Sequence, residues 1–361
     1  MKRLASHFLF FAVVLLLSAL PVIAQELTGA IEGIIKDTSG GVLPGVTVEA
    51  TSPGSGTIVA TSDAKGYYRF PRVPPGVYSI KASLSGYKPA GARNVNMTLG
   101  KTATVNLTLE VGVAETITVT AAAPLVDVTQ SATSTSIARE QIEAIPKGRD
   151  FSSVVVQAAG ASREPFLQGL SIDGASGAEN HFILDGIDTT HPYNGVNGQQ
   201  FTTTPNSGIG GQGIVTDFIE EIQVKSAGYA AEYGGSVGGV VNVVTKTGTN
   251  DIHGSILSYF GNSSWNGPER PTFYESSPTL YRTFPKDKFN RIEPGGMLSG
   301  PIMRDRLWFF AGYNPTILTT TRTPVGSSKS YDQDTRVDYL TVNLTANLGS
   351  KLLFKLGGSS F

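Results

Sequence analysis

The clearest hydrophobic pattern in the chain is a strict alternation near its C-terminal end. From Asp338 to Leu348 the apolar residues at every second position face one way, and the Thr and Asn residues between them face the other. A three-residue turn at 349–351 leads to a second alternating run at Leu352, Phe354 and Leu356. The pattern predicts a β-hairpin whose strands approach the ~9 to 11 residues that cross a bilayer as tilted β-strands.

Aromatic residues lie near the ends of the alternating segments in residues 251–361, where the interfacial girdle of a membrane β-barrel would place them. They are Tyr259, Phe260, Trp265, Trp308, Phe309, Phe310 and Tyr313. A soluble β-sandwich with one solvated face would alternate in the same way. The pattern alone therefore leaves both alternatives open.

The N-terminal end is typical of an exported protein. Residues 1–24 combine Lys2 and Arg3 with an apolar run from Phe8 to Leu17 and a small-residue cleavage site ending at Ala24. A retained membrane anchor would need about 20 apolar residues, more than this run supplies. The chain has no cysteine, which excludes disulfides and lipid attachment to a cysteine. Export favours a membrane barrel for residues 251–361.

Residues 25–110 predict a small β-sandwich, because short alternating runs are separated by turns rich in Gly, Pro, Asp and Ser. About seven strands fit this length. The segments at 33–37, 41–46, 66–70 and 73–78 resemble the carboxypeptidase-regulatory-like, transthyretin-like module. This resemblance implies an accessory domain without catalysis.

Residues 111–124 form a linker rich in Thr, Val and Ala that ends at a proline. Its centre, 115–121, alternates strongly and could be a lone strand that awaits the edge of a partner's sheet. It could equally be the last strand of the preceding sandwich.

Residues 125–250 change to short mixed elements. Asp150 caps a predicted helix that ends at Gly160, with a shared apolar face at Phe151, Val154, Val155 and Ala158. The tight-turn pair Asp185-Gly186 follows an apolar run, and residues 219–224 and 240–245 predict strands. The Thr-, Asn-, Gly- and Gln-rich stretch at 188–213 predicts a long loop, which in a compact domain is usually functional or mobile.

Three segments in order resemble the TonB-dependent receptor family of outer-membrane transporters. Residues 115–121, ETITVTA, resemble the TonB box; residues 182–188, FILDGID, resemble the strand-turn-strand of the plug domain. Residues 219–246, with IEEIQV and AEYGGSVGGVVNVVTK, resemble the most recognisable plug segment. Residues 295–302 and 306–310 are similar to the start of the barrel in large receptors that carry an N-terminal regulatory-like sandwich.

The resemblance implies a mainly β fold: the sandwich, a mixed α/β plug at 125–250, and the first strands of an antiparallel outer-membrane barrel at 251–361. It implies that the TonB protein of the inner-membrane energy-transducing complex pairs with the box and delivers energy for import. The box residues are Glu115, Thr116, Ile117, Thr118, Val119, Thr120 and Ala121. The expected location is the bacterial outer membrane, in contact with its lipid, with the sandwich in the periplasm.

Candidate ligand-binding residues lie in the predicted loop after Asp188, because plug loops of this family face the external mouth of the barrel. They are His191, Tyr193, Asn194 and Phe201. Aromatic rings beside amides suit a polar small ligand such as a carbohydrate or a siderophore. The alternative is that these side chains pack the loop against the barrel wall.

No residue constellation points to catalysis. The glycines at 208, 210 and 213 spell a dinucleotide fingerprint but follow no strand, and no βαβ unit surrounds them. His181, His191 and His253 form no metalloprotease-like pair, and a net charge of -1 offers no field for nucleic acid. We therefore expect no enzyme, no cofactor, no metal site and no nucleic-acid partner.

Residues 251–361 supply about six strands, whereas bacterial barrels need at least ~8. Lys355, Gly357 and Ser359 also interrupt the alternation before Phe361. The sequence thus predicts a chain truncated within its barrel. The expected function is ligand capture followed by TonB-driven import, and the alternative is surface adhesion or assembly with the same barrel as a platform.

Overall fold

The computed structural model describes residues 27–53, 56–112, 117–119, 133–149, 151–163, 170–190, 214–229, 233–267, 272–274, 277–282, 286–323, 329–347 and 353–360. The predicted signal peptide and the turn at 349–351 lie outside them. Within these ranges no helix has both the length and the apolar character needed to cross a membrane.

The first unit is a β-sandwich of two sheets. Its strands are β1 (Gly29–Asp37), β2 (Thr47–Ser52), β3 (Gly56–Thr61), β4 (Tyr67–Val73), β5 (Gly76–Ser83), β6 (Ala90–Met97), β7 (Thr102–Thr104), β8 (Leu107–Leu109) and β9 (Ile117–Val119). One sheet has the order β4-β1-β7, with β8 also paired to β1, and the other has the order β3-β2-β5-β6-β9.

Alternation along each strand builds the sandwich core. In β5, Tyr78, Ile80 and Ala82 point inward and are fully buried, while the residues between them are exposed. Tyr68 and Phe70 of the facing sheet pack edge to face, with ring centroids 5.9 Å apart. This core is separate from that of the next unit.

The second unit mixes short helices with a five-stranded sheet in the order β10-β15-β16-β13-β14. Its strands are β10 (Thr133–Ala138), β11 (Ala161–Arg163), β12 (Leu170–Ile172), β13 (His181–Leu184), β14 (Ile187–Asp188), β15 (Ile219–Ala227) and β16 (Val240–Thr245). Its helices are α1 (Arg139–Ala144), α2 (Ser152–Val155) and two 3₁₀ turns, Gly177–Glu179 and Thr216–Phe218.

Two local predictions for this unit are confirmed. The predicted apolar face at 151–158 is buried in the core, although α2 itself is only four residues long. Asp185 and Gly186 both have positive φ, 48° and 81°, and turn β13 directly into the antiparallel β14. Asp and Gly tolerate this left-handed conformation, which is why the pair signals a hairpin.

The third unit is a five-stranded antiparallel sheet in sequential order, β17-β20-β21-β22-β23. Its strands are β17 (His253–Asn262), β20 (Lys288–Met303), β21 (Leu307–Arg322), β22 (Tyr331–Asn347) and β23 (Leu353–Ser360), with a separate hairpin of β18 (Thr272–Tyr274) and β19 (Ser277–Arg282), and a 3₁₀ turn at Ser263–Trp265. Its strands of 16 and 17 residues are longer than predicted.

The predicted alternation in β22 is confirmed, and it separates two environments. Leu340, Val342 and Leu344 are 44%, 42% and 37% exposed on the outer face, while Thr341 and Asn343 are buried against the second unit. Apolar-out, polar-in alternation is the arrangement of a barrel in a bilayer.

The lengths of the connections between strands indicate which end of the barrel is which. The short turn at 304–306 marks the periplasmic end, and the long connection at 263–287 marks the external end.

Candidate functional site

The centre of the predicted TonB box forms β9, the edge strand of the sandwich. Its three residues run parallel to β6, with Ala90 opposite Ile117, Gly91 opposite Thr118 and Ala92 opposite Val119. The other four box residues lie outside the described residues. Of the two alternatives for this segment, the described backbone adopts pairing with the sandwich, and the role of the box stays a prediction.

The predicted ligand residues His191, Tyr193, Asn194 and Phe201 lie outside the described part of the chain. The structure does show how their loop begins. Thr189 N donates to Phe182 O at 2.9 Å, and His181 Nε2 lies 3.3 Å from Asp188 Oδ2. The chain beyond the loop returns at Ile214 and Val215, which are buried in the core.

A partly buried ionic cluster centred on Arg149 joins the second unit to the barrel sheet. Arg149 donates from Nε to Glu293 at 2.7 Å, from one terminal nitrogen to Asp217 at 2.5 Å, and from the other to Asn314 Oδ1 at 2.8 Å. Its guanidinium carbon lies 3.6 Å from the centroid of the Tyr259 ring. Burial alone would lower the pKa of Arg149, but Asp217 and Glu293 outweigh burial and raise it.

A second group of polar contacts anchors the Asp185-Gly186 turn of the second unit to the barrel. Lys355 Nζ donates to Asp185 Oδ1 at 2.5 Å, and Thr245 N donates to the same oxygen at 2.9 Å. Asn343 Nδ2 donates to Thr245 Oγ1 and to Lys246 O, both at 2.7 Å. The carboxylate of Asp185, in the turn predicted from sequence, is therefore also the ion-pair partner of Lys355 in strand β23.

Apolar packing completes the contact with the barrel wall. The rings of Phe218 and Phe310 meet edge to face, with centroids 6.0 Å apart. A Cβ added at Gly312 would lie 2.7 Å from the Phe218 ring. The barrel strand therefore needs glycine at this position for the aromatic ring to approach its backbone.

Two side chains of β15 bind the backbone of one sandwich residue. Leu99 N donates to Glu221 at 3.1 Å, and Gln223 Nε2 donates to Leu99 O at 2.6 Å. All three residues are buried, and burial raises the pKa of Glu221 to about 7. Both polar groups of the Leu99 backbone are thus satisfied across the interface.

The sandwich also contacts Asn250, the last residue of the plug before the barrel. Asn250 N donates to Pro53 O at 3.2 Å, in the turn between β2 and β3. The Asn250 side chain accepts from Asp305 N at 2.9 Å and from Trp308 Nε1 at 2.8 Å. The sandwich therefore lies at the end of the barrel that has the short turn, which is the periplasmic end.

A cavity of about 540 Å³ lies where the three units meet. Its lining includes Val77 and Met97 of the sandwich and His253 of β17. Two ion pairs of the middle unit border it, Arg139–Glu220 at 3.5 Å and Lys246–Glu143 at 3.4 Å. Among the described residues, no cluster of His, Asp or Glu side chains is arranged to hold a metal ion.

The sequence prediction missed the polar contacts that hold the units together. Arg149 and Glu221 find their partners more than 60 residues away, and Glu293 pairs with the distant Arg149 as well as with Arg291 two residues before it, so no local motif shows the contacts between units. One signal was available for Glu293: a carboxylate on the inward face of a barrel strand requires a partner inside the barrel.

A plug-like unit packed against the inner face of a barrel sheet defines the class of a plugged outer-membrane barrel protein, and comparison with known families agrees with this geometry. Residues 30–110 match the carboxypeptidase regulatory-like domain, residues 124–240 the TonB-dependent receptor plug domain, and residues 244–334 an outer membrane beta barrel domain. The chain belongs to the TonB-dependent receptors, and its place is the bacterial outer membrane.

The chain is 31% identical over 282 residues to the TonB-dependent transporter Oar of Myxococcus xanthus, covering 75% of this chain and 25% of that protein. It is 29% identical over 215 residues to the probable TonB-dependent siderophore receptor PirA of Acinetobacter baumannii, covering 56% and 25%. The outer membrane transporter YddB from Escherichia coli shows 18% identity and a TM-score of 0.47, covering 62% and 32%. The chain thus spans about a quarter of the length of the curated relatives it matches.

Proposed function

We propose that the protein captures an external small ligand at the plug and barrel mouth, and that TonB then drives import of this ligand into the periplasm. The observation that carries the proposal is the attachment of the plug to the inner face of the barrel through Arg149. A plug held by buried charge pairs blocks the lumen until work is done on it, because separating such pairs leaves charges unpaired in a low dielectric.

The box is the segment through which TonB does this work on the plug. Extended backbone such as β9 can pair with the edge of a partner's sheet, which gives affinity through main-chain hydrogen bonds. The box precedes the plug in the chain, so a pull on the box is transmitted along the backbone to β10.

The loop at 188–213 is the proposed ligand contact, through His191, Tyr193, Asn194 and Phe201. Both ends of this loop are fixed to the plug core, as Thr189 and Ile214 show. One relative is described as a siderophore receptor, and the aromatic and amide side chains also suit a carbohydrate.

Proline substitution tests the role of the box in the full-length receptor in cells. Thr116→Pro and Val119→Pro remove backbone donors, so uptake should be lost while binding at the cell surface is retained. The probes are radiolabelled ferric siderophores and oligosaccharides, screened first for surface binding. Ala123→Pro, two residues beyond the box, is the matched control and should leave uptake unchanged.

Unchanged uptake in Val119→Pro would contradict the role of the box. A surface adhesion or assembly protein is the second candidate, and in that case the box variants would leave both attachment and surface assembly intact. Alanine at Tyr193 or Phe201 should weaken surface binding of the same probe, which separates the ligand site from the energy-coupling step.

A further inference from the structure

The edge of the sandwich holds the central residues of the box in its own sheet. β9 extends the five-stranded sheet beyond β6, in register over three residues. The backbone groups of Ile117–Val119 that face β6 are therefore engaged.

The chain leaves the sandwich close to the place where β9 pairs. Lys88 N donates to Glu110 O at 2.8 Å, and Gly112 N donates to Gly86 O at 3.1 Å. The Lys88 and Glu110 side chains also pair at 3.3 Å. Only four residues separate Gly112 from Ile117, so the strand stays next to β6.

The short linker between Gly112 and β9 compensates for the weak pairing of a strand of only three residues. Three paired residues would bind weakly as a separate peptide, but a short linker gives an effective concentration on the order of millimolar. The sandwich edge thus competes well against a soluble partner present at lower concentration.

We propose that the β6 edge is a holding site for the box, and that TonB engages the box only after β9 has left this edge. The proposal rests on the proposed function of the box and adds a role for the sandwich. The sandwich then controls when the receptor is open to energy coupling.

The route of force supports release as a required step. While β9 remains in the sheet, a pull on Ile117–Val119 is borne by the hydrogen bonds to β6 and by the sandwich core. After release, the same pull passes along the chain to β10 at Thr133, which pairs with plug strand β15. Only the released strand transmits force to the plug alone.

A holding equilibrium lowers the apparent affinity for TonB. If the strand is free for 1–10% of the time, the apparent affinity falls by about 10- to 100-fold. Fixing β9 permanently on β6 should then abolish most of the binding.

A disulfide between the paired positions Ala90 and Ile117 tests this directly. The chain has no native cysteine, and neighbouring strands lie close enough for a bridge. The double variant Ala90→Cys/Ile117→Cys is made in the full-length receptor, and binding to the soluble periplasmic part of TonB is measured before and after reduction. The oxidised form should bind at least tenfold more weakly, and reduction should restore binding.

The two single-cysteine variants are the matched controls and should not respond to reduction. A fully oxidised variant that binds TonB as well as its reduced form would overturn the proposal, because TonB would then be adding to the box without releasing it.

Hydrogen exchange on the unaltered full-length receptor gives a second measurement that needs no substitution. The amide of at least one residue of Ile117–Val119 should be protected without TonB, because the N–H groups of alternate residues in a paired strand point to the neighbouring strand. Exchange at the rate of an unprotected peptide would also overturn the proposal. If these amides are protected but no form of the receptor binds TonB, the holding site stands and the proposed function of the box fails.

Discussion

The guanidinium group of Arg149 lies 2.7 Å from the carboxylate of Glu293, and this pair joins the plug to the inner wall of the barrel. Their side chains are 19% and 2% exposed, so neither charge is well solvated. The contact holds the plug in place. It also opposes movement of the plug, because separating the pair would leave two poorly solvated charges without partners.

Removal of Arg149 should destabilise the seating of the plug. Arg149→Ala leaves Asp217 without its cation and Glu293 with Arg291 alone, and loss of one partner of a buried pair costs up to about 3–5 kcal/mol. Thermal unfolding and protease cleavage of the plug in membranes measure the effect. Arg304→Ala, at the exposed short turn, is the control and should change stability by less than about 0.5 kcal/mol.

The contact between the sandwich and the plug should depend on pH through Glu221. Its pKa rises from 4.5 to about 7 on folding, so between these values the folded protein binds more protons than the unfolded one. The contribution of Glu221 to stability should therefore be largest below pH 4.5, fall as the pH rises to 7, and level off above it, by up to about 3 kcal/mol in total. Glu221→Gln, which keeps an acceptor for Leu99 N, should lose this dependence in unfolding curves measured from pH 4 to 8. A pH slope as steep in the variant as in the parent protein would contradict the assignment.

Asp185 both forms the turn after β13 and pairs with Lys355, and a substitution can separate these two roles. Asp185→Asn retains a residue that tolerates the positive φ of 48°, so it removes chiefly the ion pair with Lys355. We expect a loss of about 1–3 kcal/mol, because a neutral amide then faces the Lys355 ammonium in place of a carboxylate, while the hydrogen bonds of Lys355 to Thr245 remain. A double-mutant cycle with Lys355→Met measures the coupling, and additive effects would show that the pair contributes nothing.

Gly312 should be intolerant of any side chain. In Gly312→Ala the new Cβ would lie 2.7 Å from the Phe218 ring, so strand β21 and the plug must separate. Gly358→Ala is the matched control in β23, because a Cβ there meets nothing within 4 Å. Protease sensitivity of the plug should rise in Gly312→Ala and stay at the parental level in Gly358→Ala.

The local pattern of the sequence was sufficient for the elements whose cause is local. The alternation in β22 and the Asp185-Gly186 turn were predicted because side-chain period and positive φ are properties of adjacent residues. In the sequence Lys355 interrupts the alternation, yet in the structure its side chain points inward to Asp185 while Phe354 and Leu356 are exposed.

Contacts between units were beyond the reach of sequence patterns. Glu221 and Gln223 look like the polar positions of an ordinary strand, and only the folded chain places both on the backbone of Leu99. The pairing of β9 was one of two open alternatives, because an alternating segment carries no information about which edge it joins.

The position of Asn250 has a consequence for the order of assembly. This residue ends the plug, and it meets the β2–β3 turn of the sandwich and the first periplasmic turn of the barrel at once. Its side chain has its full set of partners only after β20 and β21 have formed their hairpin. The sandwich therefore has its complete docking surface only on a barrel whose early strands are already joined.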